Sequence, residues 1–124
     1  MSSANGGDNR PDPTTSHAAS PPRLTQHEQQ GAWVVAVHGA FDANSTSLLA
    51  AALQDAATTH ATVVVDAAEL TFADSTVLNV LLNFHHGHRL RLARPAHQLQ
   101  RVLELTGADT VLDIRPTVQD AIVP

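Results

Sequence analysis

Apolar side chains follow two rhythms along this chain, one of period two and one near 3.6, and the changes between them mark its elements. From Ala32 to His38 the stretch AWVVAVH is apolar and β-branched, bounded by Gly31 and Gly39, which predicts a strand buried on both faces. Leu24 to Glu28 fits an edge strand beside it. After the sequence GAFD the period changes. Leu48, Leu49, Ala52, Leu53 and Ala56 recur on one face of a helix over about 44–59, with Asp42, Asn44 and Ser45 as candidate N-caps. Thr62 to Asp66, TVVVD, is a continuous β-branched run that predicts a central strand. Strand, helix, strand in that order implies a crossover onto a parallel neighbour.

A second helix is expected from Asp74 to His86, where Val77, Leu78, Leu81, Leu82 and Phe84 leave most of the circumference apolar and require burial. Arg89 to Ala93, RLRLA, alternates as a half-exposed strand does. Pro95 opens a third helix whose inner face is Leu99, Val102, Leu103 and Thr106, and Gly107 stands where a left-handed C-cap belongs. Val111 to Ile114 fits a last short strand and Thr117 to Val123 a final helical turn or two. Leu48, Leu53, Leu81, Leu99 and Leu103 read as core, and Trp33 as packed at a strand edge or partly exposed. The chain thus reads as a single α/β domain over residues 24–124, a small mixed β-sheet of four to five strands flanked by helices. Residues 1–23 are rich in Ser, Asn, Gly, Asp, Pro and Thr, the composition of a disordered tail.

Composition narrows the classes. At 124 residues and 43% hydrophobic, the chain fits one core and not two. It has no apolar run long enough to span a bilayer and no apolar middle of a secretory signal near its start, so a cytoplasmic location without membrane insertion is expected. Cysteine is absent, which removes disulfides, thiolate metal sites and cysteine nucleophiles. The formal net charge is −5 and is unevenly spread. Residues 24–88 contain Glu28, Asp42, Asp55, Asp66, Glu69 and Asp74 and no Lys or Arg, whereas Arg89, Arg91, Arg94, Arg101 and Arg115 come later, mixed with four acids. An acidic surface repels phosphate backbones, which argues against nucleic acid, and it favours a partner with a basic face.

Candidate chemistry concentrates before the second helix. Asp74, Ser75 and Thr76 stand at its start, where a carboxylate accepts orphan backbone N–H groups. Ordinary capping explains them without further function; a hydroxyl beside the positive end of the helix is also a position that tolerates a phosphate. Asp42 either shapes the turn into the first helix or contacts a partner. His85, His86 and His88 invite a metal reading, but neighbours on a helix point about 100° apart and no acid stands at the spacing that completes a site. Solvated imidazoles at a helix C-terminus are the simpler account. A Gly-rich phosphate loop, a Ser nucleophile flanked by glycines and a paired acid and base are all missing, so no enzyme activity and no cofactor are expected.

Three separated stretches, GAFD, FADSTVLNVLL and RVLELTGADTVLDIRPTVQDAI, together resemble the STAS domain of anti-sigma-factor antagonists, over about a hundred residues. The resemblance implies a protein that binds an anti-sigma factor with a serine/threonine kinase-like ATPase fold and so releases a sigma factor, with phosphorylation by that partner switching binding off. By position, Thr76 takes the place of the phosphoacceptor, with Ser75 as second choice. Asp42, Asp74, Ser75, Thr76 and Val77 form the implied partner contact. ATP belongs to the partner. The family's glycine after the phosphoacceptor is Val77 here, which either fills the space a partner approaches through or turns inward as one more apolar contact. A phosphate in this loop adds about −1.5 to −2 charges beside Asp74, in a surface the partner must desolvate, and repels docking. A second implication is a non-catalytic STAS scaffold, such as a subunit bound to the ATPase of a lipid-transport system or a component of a stress-signalling assembly.

Overall fold

The computed structural model describes residues 21–123, so most of the expected tail lies outside the described residues. Five strands, β1 (Arg23–Gln29), β2 (Ala32–Phe41), β3 (Thr62–Ala73), β4 (Arg89–Ala93) and β5 (Asp113–Arg115), form one sheet in sequence order. β1 runs antiparallel to β2, and the remaining neighbours are parallel. The sheet is therefore mixed, as expected, and begins one residue earlier than the sequence suggests, at Arg23. Gln30 and Gly31 both take positive φ, 52° and 86°, the two-residue turn whose twist suits a hairpin.

The parallel connections carry helices α1 (Thr46–Ala57), α2 (Ser75–Gly87) and α3 (His97–Thr106); α4 (Val118–Ile122) follows β5. Most of the apolar side chains form one cluster on a single face of the sheet, where Val35, Val37, Val63, Val65, Leu90 and Leu92 meet Leu49, Leu53, Leu81, Phe84, Leu99 and Leu103 from the helices. α3 ends at Gly107, φ 77°, in the left-handed cap expected from its sequence. Among the described residues, the opposite face is covered by α4, over Ala32, Val34, Val64 and Ala93.

Several expectations change. Leu48 does not join the core: it is 50% exposed, because the buried stripe of α1 runs through Leu49, Ala52, Leu53 and Ala56, and Leu48 precedes that stripe on the solvent side. Thr106 is exposed and donates its hydroxyl to the Val102 carbonyl at 2.8 Å, so it terminates α3 and lies outside its inner face. β4 is not half-exposed. Arg91, on the face turned away from α1–α3, is only 7% exposed, and its guanidinium donates to the carbonyls of Ala121, at 3.0 Å, and Val123. The last helix converts an apparently outward-facing arginine into a buried tether: one guanidinium nitrogen is held by the two carbonyls, while Nε makes no hydrogen bond and faces the Asp113 carboxylate at 3.4 Å. β5 sits at 113–115, later than expected, where Asp113 faces the Arg115 guanidinium at 2.6 Å. Trp33 is half-buried, its indole N–H donating to Gln26 at 2.9 Å and its ring tilted against His60.

β3 departs most. The expected strand ends at Asp66; the observed one continues to Ala73. Its first part pairs on both sides, with β4 alongside Thr62–Asp66, but the remainder pairs only with β2. Register shifts between Ala36 and His38 and between Gly39 and Ala40 absorb the extra residues.

Candidate functional site

β2 and β3 end side by side, Phe41 opposite Ala73, and each passes directly into an aspartate and then a helix. Asp42 and Asp74 therefore emerge from adjacent strand ends of a parallel pair, the place where open α/β sheets commonly present functional groups.

At the first corner the Asp42 carboxylate accepts the Asn44 N–H at 3.0 Å and the Ser45 hydroxyl at 3.2 Å. The Asp42 N–H in turn donates to Ser45 Oγ at 2.9 Å. Ser45, at the N-cap position of α1, makes no side-chain bond to the helix and is 8% exposed. Its hydroxyl is internal to the turn. Of the three candidate caps, none closes α1 in the usual way; Asp42 shapes the turn, with its own side chain at the surface.

At the second corner Asp74 is the N-cap of α2. Its Oδ1 accepts the Thr76 backbone N–H at 3.0 Å and also the Thr76 hydroxyl. The Thr76 hydroxyl holds the Asp74 carboxyl below its usual range, partial burial opposes this, and the backbone N–H groups of the first turn add to the lowering. Thr76 is half-buried with its hydroxyl occupied, whereas Ser75 is exposed in the first turn of α2. Val77 turns inward. It is 2% exposed and packs in the main core cluster, so of the five residues expected to meet a partner it alone offers no side-chain surface. The structure thus gathers Asp42, Asp74, Ser75 and Thr76 at one end of the sheet.

The sequence reading missed Phe72. Quoted there only within the stretch FADSTVLNVLL and assigned to no strand, it lies on β3, 44% exposed, next to Ala73 and the Asp74 cap. The run Leu70, Thr71, Phe72, rich in strand-favouring residues, was the available signal.

The histidines at the far end of α2 do not converge. His88 stacks on Phe84 at 4.3 Å between ring centres, and His85 and His86 are 6.4 Å apart and tilted. Among the described residues, no group of three His, Cys, Asp or Glu side chains is arranged to hold a metal ion, and no helix is long and apolar enough to cross a membrane.

Residues 24–116 match the family model described as "Mlab, STAS domain". The chain belongs to the STAS domain family. Solved STAS structures share the fold at low identity. An anti-sigma factor antagonist from Mycobacterium paratuberculosis superposes with a TM-score of 0.77 at 22% identity, over 85% of this chain and 94% of that one. The anti-sigma factor antagonist SpoIIAA in its unphosphorylated form gives 0.67 at 18% identity, over 81% and 93%. The Bacillus cell fate determinant SpoIIAA in the phosphorylated form gives 0.62 at 18% identity, over 81% and 96%. No curated protein matches this STAS sequence significantly.

Proposed function

We propose that this STAS domain is an anti-sigma-factor antagonist: it binds an anti-sigma factor with a kinase-like ATPase fold, so releasing a sigma factor, and phosphorylation in the Asp74-Ser75-Thr76 loop turns the binding off. The observation that carries this is the second corner, an exposed serine hydroxyl in the first turn of α2, held beside an ionised N-cap at the end of the sheet. The geometry favours Ser75 over Thr76 as the phosphoacceptor, because the Thr76 hydroxyl is engaged by Asp74 and must break that bond to react. The inward turn of Val77 removes the steric objection to a partner's approach, since its side chain leaves the outer face of the loop unchanged.

A phosphate on Ser75 lies at the positive end of α2 and leaves the helix intact. It adds about −1.5 to −2 charges that must lose their water when a partner closes over the loop. If that costs about 3 kcal/mol, affinity falls about a hundredfold, enough for a switch. ATP is the partner's substrate, and this chain contributes no catalytic group.

The test is capture from the native host's lysate, with ATP removed, on immobilised wild-type, Ser75→Glu and Thr76→Glu proteins. Retention of a kinase-like ATPase by wild type and its loss on Ser75→Glu supports the switch. Phosphosite mapping after ATP is restored then separates the two hydroxyls. Equal capture of one partner by all three proteins would favour the second reading, a non-catalytic STAS scaffold of the lipid-transport or stress-signalling kind. Two observations support that alternative: the Thr76 hydroxyl is engaged in capping, and the matching family model is the Mlab one.

A further inference from the structure

β3 outruns its neighbour. β4 ends at Ala93, opposite Asp66, and Arg94 leaves the sheet with a positive φ of 51°. One further bond closes the next position, the Ala96 N–H donating to the Ala67 carbonyl at 3.3 Å. Beyond it, Ala68–Ala73 is strand that pairs with β2 on one side and, among the described residues, with no strand on the other.

Backbone N–H and C=O groups along a strand are obligatory hydrogen-bonding groups, and an open edge is a template for another chain. Natural edges are blunted by lysine, proline or inward charges. In Ala68–Ala73 the devices are few: the segment has no basic residue and no proline, one charged residue, Glu69, and two register shifts against β2. Thr71 and Phe72 are both exposed, and Phe72 supplies an apolar surface beside the open backbone. The overhang and the two aspartate corners beside it carry acids and no basic residue of their own. Glu69 is exposed within the overhang, Asp74 is ionised at its end, and Asp42 is exposed on the adjacent strand end. Arg94 is engaged by Asp66 in a two-pronged pair at 3.0 and 2.6 Å and also feels the Glu69 carboxylate.

We propose that the overhang Ala68–Ala73 is a strand-addition site for an extended, basic segment of a partner protein. Main-chain bonds to the open edge supply affinity, Phe72 packs against an apolar side chain of the segment, and alternate basic side chains meet Glu69 and Asp74. The proposal goes beyond the phospho-switch and does not require it, since no hydroxyl takes part.

The experiment uses 15N-labelled full-length protein and a synthetic peptide of about eight residues alternating Lys and Val, long enough to span such an edge. The expected result is that the peptide shifts the amide signals of residues 68–73 and slows their hydrogen exchange, leaving β1 and β5, the outer strands of the sheet, unchanged. A version N-methylated along one side keeps the charge but loses the ladder, and binding should weaken by about tenfold or more; Phe72→Ser, an exposed change, should act in the same direction. Equal binding of the N-methylated peptide would reduce the interaction to charge alone and overturn the proposal. So would shifts confined to β1, or slowing of the 68–73 amides with protein concentration in the absence of peptide, which would assign the edge to a second copy. Ser75→Ala protein is run alongside and should bind the peptide like wild type. Loss of the phospho-switch therefore leaves this result standing, and loss of peptide binding leaves the switch standing.

Discussion

The two strand-to-helix corners of this STAS domain are built from nearly the same parts and do different things with them. Each places an aspartate directly after a strand and hydroxyl residues within the next few positions, at adjacent ends of β2 and β3. At the Asp42 corner the serine hydroxyl is folded into the turn, giving and receiving hydrogen bonds with the same aspartate. At the Asp74 corner the aspartate bonds Thr76 and leaves the intervening serine outside. The serine is buried in one corner and exposed in the other. The difference follows from spacing: Asp42 and Ser45 are separated by two residues, which closes a turn around the hydroxyl, whereas Ser75 follows Asp74 immediately and occupies the first helical position.

If the first corner is scaffold and the second is signal, substitutions should separate binding from stability. The largest expected effect is on binding: Ser75→Glu should weaken partner affinity by about a hundredfold in calorimetric titration with the captured ATPase, while thermal unfolding stays near wild type. A stable protein that binds at full strength would break the comparison. Ser45→Val should do the reverse, costing about 1–3 kcal/mol in denaturant unfolding because the Asp42 N–H loses its buried acceptor. Binding by the folded fraction should survive.

Asp74→Ala removes a working N-cap and should cost about 1 kcal/mol by the same measurement. Its pH signature sharpens the assignment. The folded-state carboxyl lies below its ordinary value, so its stabilisation is present above about pH 4 and is lost as pH falls through the lowered folded value. Asp74→Asn should therefore flatten part of the stability loss between pH 4 and more acid conditions, read from urea unfolding at each pH. The smallest effect is Ser75→Ala, expected to stay within about 0.5 kcal/mol of wild type in stability, because the side chain makes no contact that folding depends on. A larger loss would mean that Ser75, like Ser45, belongs to the scaffold.

How legible this was in the sequence varies by element. The helical stripes of α2 and α3 could be read directly, because Val77, Leu78, Leu81 and Phe84, and Leu99 with Leu103, repeat at the helical period and were all buried. Gly107 could be read because a left-handed cap selects glycine. The Asp74 cap was legible for the same local reason. Leu48 misled because it borders the stripe of α1, and a difference of one helical position decides between core and water. Arg91 misled because its burial depends on α4, some thirty residues away in sequence, and no local pattern announces a helix that will cover it. The end of β3 misled because strand pairing is a property of two strands: nothing in TVVVDAAELTFA says that its neighbour stops opposite Asp66.

The sequence by itself determined that this protein has one α/β core, that residues 24–88 carry six acids and no Lys or Arg, and that an Asp-Ser-Thr cap opens its second helix. Those follow from periodicity, composition and capping, which act over a few residues and need no knowledge of what lies across the sheet. Only the tertiary structure decided that Val77 faces inward, that Ser75 and not Thr76 holds the unengaged hydroxyl, and that β3 runs past β4 to leave an open edge beside the loop. Each of these turns on which atoms fill the space around a residue, and that space is bounded by strands and helices distant in the chain.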